Sequence, residues 1–318
     1  MNIQVFLELD SLLLTQPGFA MPALEHLLAK GSVSKSTQVF EAALCEAFGI
    51  KKQLDWPVAS LSWLGEGNDP GDECWLYADP VNLQLQRDYF SLNLPVPVPL
   101  DLAESEELSA SLNRHFSEDG LQFCVTSSGQ WYLRMASAVA VKTSFPAQAA
   151  GRDIRDFLPV GAEADKLRSV LNEMQMLLHE HPVNKAREER GEVIINSLWL
   201  SGSGRVPIQT LDSSITIFTD IALAKGLALV TGNSAHPLPG DFSALDKELA
   251  HAMLVPGKSA QSDEQWFLPM SLALKAGKIR HLTIELFAND QHVHLEVYPV
   301  DMWKFWRKPQ PLGACFQW

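Results

Sequence analysis

The chain has 318 residues, 46% of them hydrophobic and 20% charged, which suits one large folded domain or two modest ones and excludes a disordered chain. Its formal charge of −13, with no run of basic residues, sets aside nucleic acid and acidic membrane surfaces as partners, while a local arginine cluster leaves small anions open. The four cysteines (Cys45, Cys74, Cys124, Cys315) stand far apart, which excludes a zinc knuckle or a thioredoxin-type pair and points to reduced thiols in a cytoplasmic protein.

In the opening "MNIQVFLELDSLLL", Glu8 and Asp10 stand where a signal peptide would have lysines followed by an unbroken apolar stretch. No apolar run approaches the length needed to cross a bilayer, so a soluble protein is expected. "IQVFLEL" is short, apolar and β-prone, and ends on Asp10. A helix is predicted from Pro22 to Lys30: proline suits the first helical position, Leu24, Leu27 and Leu28 form a stripe, and Gly31 ends it. A second helix is predicted from Thr37 to Phe48, burying Phe40, Ala43, Leu44 and Ala47. Strand, helix, helix is an α/β opening.

Composition changes near residue 65, where "GEGNDPGDE" reads as a turn-rich linker. "CWLYADP" follows as a strand. "LPVPVPL" must be extended, because alternate prolines forbid helix and central strand alike. Asp101 and Glu104 are spaced as a capping pair for a helix running to Phe116. "LQFCVTSSGQWYLRM" reads as a hairpin turning at Ser128-Gly129.

In "DKLRSVLNEMQMLLHE", Leu167, Val170, Leu171, Met174, Leu177 and Leu178 make one apolar face of a long helix, a core stripe rather than a cofactor box. Pro182 stops it. Asn184 is the expected cap of a short second helix that Gly191 closes. "VIINSLWL" reads as a buried strand. Helix-like "SSITIFTDIALAKG", strand-like "LALVT" and helix-like "FSALDKELAHAML" then alternate as in a parallel sheet. "IRHLTIELFANDQHVHLEVYPV" reads as an antiparallel hairpin turning at Asn289-Asp290.

"ADPVNLQLQRD", "WYLRM", "NEMQMLLHEHPVNKAREERG" and "INSLWLSGSG", in this order between about residues 74 and 207, resemble the bacterial RpfE-type regulatory proteins. More distantly, "HPVN-x-x-R-x-x-x-G-x-x-x-x-N-S-x-W-x-x-G-x-G" is similar to a segment of the archaeal-type, cofactor-independent phosphoglycerate mutases of the alkaline-phosphatase superfamily. That resemblance implies an α/β fold: a phosphatase-like sheet flanked by helices, from residues 1–65 and 190–318, with 66–189 inserted as a smaller α+β domain. It places "INSLWL" inside the main sheet beside "IQVFLEL". It also implies two divalent metals, manganese or zinc, that activate a serine or threonine nucleophile.

"MPALEHLLAKGSV" resembles the superfamily's early helix, so Asp10 stands about where a metal-binding aspartate would; a carboxylate capping a loop after the first strand is the plainer reading. Aligning Gly49 on the family's Leu-rich stretch puts Phe40 at the nucleophile position and Glu41 beside it. Phenylalanine has no hydroxyl to attack phosphorus. Ser36 or Thr37 would replace it if the register is one turn out. The family's late metal cluster is missing: Asp246 and His251 stand at the wrong interval, and no Asp-His dipeptide occurs.

Two other groups remain as candidates. If the C-terminal hairpin turns at Asn289-Asp290, Glu285 faces His294 and Phe287 faces His292, and His-x-His with a facing glutamate is a candidate first-row metal site. The same alternation is what any half-solvated hairpin shows. The second group is an anion site made of His181, Asn184, Arg187 and Asn196 with Gly202 and Gly204 of "SGSG", with Arg190 and Arg205 flanking. It lacks the Lys-Ser/Thr pair of a P-loop and the dinucleotide fingerprint. A polar tie between helix ends and a strand, with glycines turning the chain, explains the same residues without a ligand.

Two functions follow: a metal-free, non-catalytic relative of the mutases with a regulatory or ligand-sensing role, or an active metal-dependent mutase or phosphohydrolase. The first needs no cofactor. Its expected partners are a phosphorylated small molecule and a regulatory protein, with no nucleic acid and no membrane.

Overall fold

The computed structural model describes residues 1–16, 18–93, 95–136, 140–208, 215–245, 249–256 and 263–316. The chain divides into two compact units, one of residues 1–49 and 209–318 and one of residues 50–208.

The first unit is built on a seven-stranded sheet in the order Ser234–His236, Thr216–Thr219, His251–Val255, Asn2–Glu8, His281–Ala288, Gln291–Val297, Ser32–Thr37. The first five run parallel; Gln291–Val297 runs antiparallel to them, and Ser32–Thr37 pairs antiparallel with it at the edge. Asn2–Glu8 is central, and its alternate side chains divide between the two faces. Ile3, Val5 and Leu7 lie opposite Leu282, Ile284 and Leu286. The helices Pro22–Lys30 and Phe267–Lys275 cover that face with Leu24, Leu27, Phe267 and Met270. Phe6 and Phe287 point to the other face, where the helix Phe40–Ala47 packs.

The first helix and the C-terminal hairpin follow the predicted pattern, and Asn289 takes the left-handed conformation the tight turn requires (φ 55°). Three predicted helices differ from theirs, the first of them only at its start. The segment from Thr37 ends an exposed edge strand, Ser32–Thr37, and the helix starts only at Phe40. "SSITIFTDIALAKG" carries the strand Thr216–Thr219, and "LALVT" belongs to the helix Ala222–Thr231 that follows. "FSALDKELAHAML" gives a short 3-10 turn, Phe242–Ala244, and the strand His251–Val255. A strand buried on both faces is a continuous apolar run, which periodicity alone cannot separate from a buried helix.

The second unit holds a four-stranded antiparallel sheet in the order Ser197–Gly204, Cys74–Val81, Trp131–Met135, Leu121–Val125. The helices Leu102–His115 and Ala164–His179 bury Leu108, Leu112, Leu167, Val170, Met174 and Leu178 against it, as their spacing predicts. Asp101 and Glu104 form the expected reciprocal cap.

"INSLWL" corrects the expected architecture. Ser197–Ser201 pairs with Tyr77–Val81 at the edge of this smaller sheet and has no place beside Asn2–Glu8. The helix Val58–Gly65 packs against the same strand. With these two contacts, residues 50–65 and 190–208 group with the second unit, whose expected limits were 66 and 189.

Candidate functional site

In open α/β sheets, ligands bind beyond the carboxyl ends of the parallel strands. Asp10 stands at that end of Asn2–Glu8. Its Oδ1 accepts the backbone N–H of Leu12 at 2.8 Å and caps the short helix Ser11–Leu14. Phe40 opens the helix Phe40–Ala47 and is buried. Its ring meets Phe287 edge-on, centroids 5.6 Å apart at 83°. Phe287 in turn stacks on Phe6 and on the imidazole of His292, the latter at 4.6 Å. The position at which the mutase resemblance puts a nucleophile is thus part of an apolar aromatic stack.

Beside that stack runs a chain of polar side chains across three strands. Ser36 Oγ lies 2.9 Å from His292 Nδ1, and His292 Nε2 lies 2.8 Å from Glu285 Oε2. His294 Nδ1 lies 2.9 Å from both Glu285 oxygens. Burial pushes the Glu285 carboxyl up, but the hydrogen bonds from His292 and His294 outweigh it and hold the group below its ordinary value. A carboxylate can only accept, so His292 Nε2–H donates to Glu285, and Nδ1 meets the Ser36 hydroxyl, which can either donate or accept. The hairpin therefore brings the two histidines and the glutamate together as foreseen, but they satisfy one another.

The side chains that could offer metal ligands here already have partners. Asp10 is engaged as a cap, and the Glu285 oxygens are engaged by imidazoles. Among the described residues, no group of three or more His, Cys, Asp or Glu side chains could hold a metal ion. His251 is described, at the start of its strand, with Nδ1 3.4 Å from Asn2 Nδ2; Asp246 lies outside the described residues.

In the second unit the four polar residues of the junction also come together, and their donors are engaged. His181, not Asn184, caps the helix Pro182–Arg190: its Nδ1 accepts from Val183 N–H, and its Nε2 is 2.9 Å from Ser111 Oγ. Asn184 Nδ2 donates to the carbonyls of Leu178 and Ile195, and its Oδ1 accepts from Ile195 N–H. Arg187 Nε donates to Val193 O, one terminal nitrogen to Glu104 and the other to Pro99 O. Asn196 exchanges two bonds with the backbone of Leu83. The four residues tie helix ends to strands, and every amide and guanidinium group already has a backbone or carboxylate partner. Glu104, the far end of a helix cap, is the partner that local sequence reasoning missed.

"SGSG" lies inside the strand rather than in a loop, and all four residues are buried. The pairing slips between Ser201 and Gly204 at a bulge. Gly202 has φ 68°, and its N–H donates to Thr143 Oγ1, which is bonded to the buried Asp55. A Cβ on Gly204 would lie 2.6 Å from Pro57 Cβ. These glycines admit the close approach of neighbouring chain. Asp55 and Thr143 are too far away in sequence to have been associated with the bulge.

Comparison with known proteins points in one direction. A "probable 2,3-bisphosphoglycerate-independent phosphoglycerate mutase" of Geobacter sulfurreducens is 22% identical over 203 residues, which is 62% of this chain and 51% of that protein. The "2,3-bisphosphoglycerate-independent phosphoglycerate mutase" of Methanothrix thermoacetophila is 31% identical over 105 residues, or 31% of this chain and 27% of the relative. The match thus spans about half the length of the first relative and about a quarter of the second. A solved "cofactor-independent phosphoglycerate mutase" from Thermoplasma acidophilum superposes over 99% of this chain and 94% of its own, with a TM-score of 0.45 and 16% identity. No family model matches the chain. The sequence matches support distant homology to the cofactor-independent phosphoglycerate mutases.

Proposed function

We propose that this protein is a non-catalytic relative of the cofactor-independent phosphoglycerate mutases. It acts in the cytoplasm in a regulatory or ligand-sensing role of the RpfE type, on an alkaline-phosphatase-like sheet. The observation that carries this reading is Phe40. A buried ring, held edge-on against Phe287, occupies the position that the mutase resemblance gives to a phosphoryl-accepting hydroxyl.

The competing reading, an active metal-dependent mutase or phosphohydrolase, would use Ser36 or Thr37, and the Ser36 hydroxyl is hydrogen-bonded to His292. That chain ends on the carboxylate of Glu285, a poor setting for a phosphoryl group, which needs cations at its oxygens. The test is the interconversion of 3- and 2-phosphoglycerate by the purified chain with manganese or zinc added, together with elemental analysis. No turnover is expected. Turnover that disappears in Ser36→Ala, or about two metal ions held per chain, as a two-metal site requires, overturns the proposal.

A further inference from the structure

The second unit contains a cavity of about 750 Å³ that the mutase resemblance does not account for. It lies along the edge strand Ser197–Gly204, between the helix Ala164–His179 and the 3-10 turn Ile154–Phe157. Its size is that of small-molecule sites, roughly 300–1,000 Å³. Leu83, Phe90, Phe157, Leu171, Met176 and Leu198 give it an apolar lining. Two of them remain open to water, Phe90 at 45% and Met176 at 76% exposure. Large apolar side chains left exposed around a concave site mark a surface that gains by being covered.

A second observation gives the chemistry of what would cover it. Arg168 lines the cavity; one terminal nitrogen donates to Asp165 at 3.2 Å and the other to Pro159 O at 2.9 Å. The Arg168 side chain is nevertheless 42% exposed, so its guanidinium is open to a further acceptor. A guanidinium has five N–H donors, and an anionic oxygen is their natural complement. Asn172, Gln175 and His179 lie four, seven and eleven residues further along the same helix face and also line the cavity. The charge available is small. Arg155, the other cation of the lining, is held by Asp153, and Arg168 is already paired with Asp165. A monoanion suits this balance; a dianionic phosphate would need more positive charge.

We propose that this cavity binds a small amphipathic carboxylic acid, with its apolar body against Leu171, Leu198 and Phe157 and its carboxylate accepting from the Arg168 guanidinium. This names a ligand class for the sensing role above and rests on that reading only for the purpose of binding. A chain that interconverts phosphoglycerates and still binds the acid overturns the earlier reading and leaves this one standing.

The experiment is calorimetric titration of the full chain with decanoate and with 2-naphthoate, each compared with its own alcohol, decan-1-ol and 2-naphthalenemethanol, below micelle-forming concentrations. At least one acid is expected to saturate a single site about tenfold or more tightly than its alcohol, a gap of about 1.4 kcal/mol. Whichever acid it is identifies the body as alkyl or aryl. Arg168→Gln is expected to remove that preference while leaving the alcohol unaffected. Met176→Glu, at an exposed position that leaves the fold intact, is expected to weaken the acid by a similar factor, and it carries the test if Arg168→Gln fails to fold. Equal binding of acid and alcohol, no saturation by either acid, or wild-type affinity in both variants overturns the proposal.

Discussion

Asn184 holds Ile195 from both sides: its Nδ2 donates to the Ile195 carbonyl at 2.6 Å, and its Oδ1 accepts the Ile195 N–H at 2.8 Å. The same Nδ2 also takes the carbonyl of Leu178, at the end of the long helix that Pro182 interrupts. One buried amide therefore fixes the angle between a helix end and the approach to the edge strand. Asn184→Ala leaves three backbone groups without partners. A loss of roughly 3 kcal/mol in urea unfolding is expected, given about 1–3 kcal/mol for each unsatisfied buried group. Asn184→Asp should be at least as damaging, since a carboxylate cannot donate to either carbonyl. A change below about 1 kcal/mol in both variants would show that the tie does not hold the strand.

Gly204→Ala tests the reading of the glycines as points of close approach. The new methyl would lie 2.6 Å from Pro57 Cβ and 2.8 Å from Pro57 Cα, and a backbone atom cannot swing away as a flexible side-chain end can. Overpacking of this kind costs about 1–3 kcal/mol. The expected outcome is a lower melting temperature that inorganic phosphate does not restore. A normal melting temperature with weakened phosphate binding would instead favour a phosphate cradle.

How far these features could be read beforehand depended on how local they are. The helix Pro22–Lys30, the cap formed by Asp101 and Glu104, and the hairpin turning at Asn289 are encoded within a few residues, and their patterns were legible. The hairpin register was enough to bring Glu285 to the two histidines. It could not show that the carboxylate is shared between the imidazoles, because that depends on rotamers. His251–Val255 resembles a buried helix segment because a strand covered on both faces loses its alternation, and Thr216–Thr219, at 4 residues, is too short to establish a period. "INSLWL" was placed in the wrong sheet because a buried apolar strand does not name its partner; Cys74–Val81 lies more than a hundred residues away. Arg187 was legible as a residue needing acceptors, but its acceptors, Glu104 and Pro99 O, come from another helix and the loop before it.

Phe40→Ser restores the hydroxyl missing at the nucleophile position, yet it should not restore chemistry. Asp10 remains a helix cap, and the Glu285 oxygens remain engaged by imidazoles. The variant should cost stability, on the order of 3–5 kcal/mol as for other large-to-small changes at buried aromatics, because Phe287 loses its edge-on neighbour. Phosphoglycerate turnover that appears in Phe40→Ser and depends on added manganese would show that a functional metal site has been overlooked.

His181 gives the second unit a pH-dependent joint. Burial lowers its pKa from the ordinary 6.5, and the nearby Glu107 carboxylate offsets this only in part. The neutral ring is what the geometry uses: Nδ1 accepts from Val183 N–H, so the proton is on Nε2, facing Ser111 Oγ. Protonating Nδ1 removes the acceptor and uncaps the helix Pro182–Arg190. The folded-state pKa is depressed, so the unfolded chain takes up the proton first as pH falls. The stabilisation is complete above pH 6.5, shrinks below it, and is gone once pH has passed through the lower folded value. His26 is shifted in the same direction, by burial first and then by Lys30 and Lys275, and adds to the same slope from the first unit. The expected result is a melting temperature that declines between about pH 7 and pH 5, before most carboxylates titrate. His181→Asn keeps a cap without a titrating group and should flatten part of that decline, leaving the share due to His26. At pH 7 its cost should stay within about 1 kcal/mol, because asparagine is a good helix cap. An unchanged pH profile in His181→Asn would remove His181 from the account and leave His26 as the group responsible.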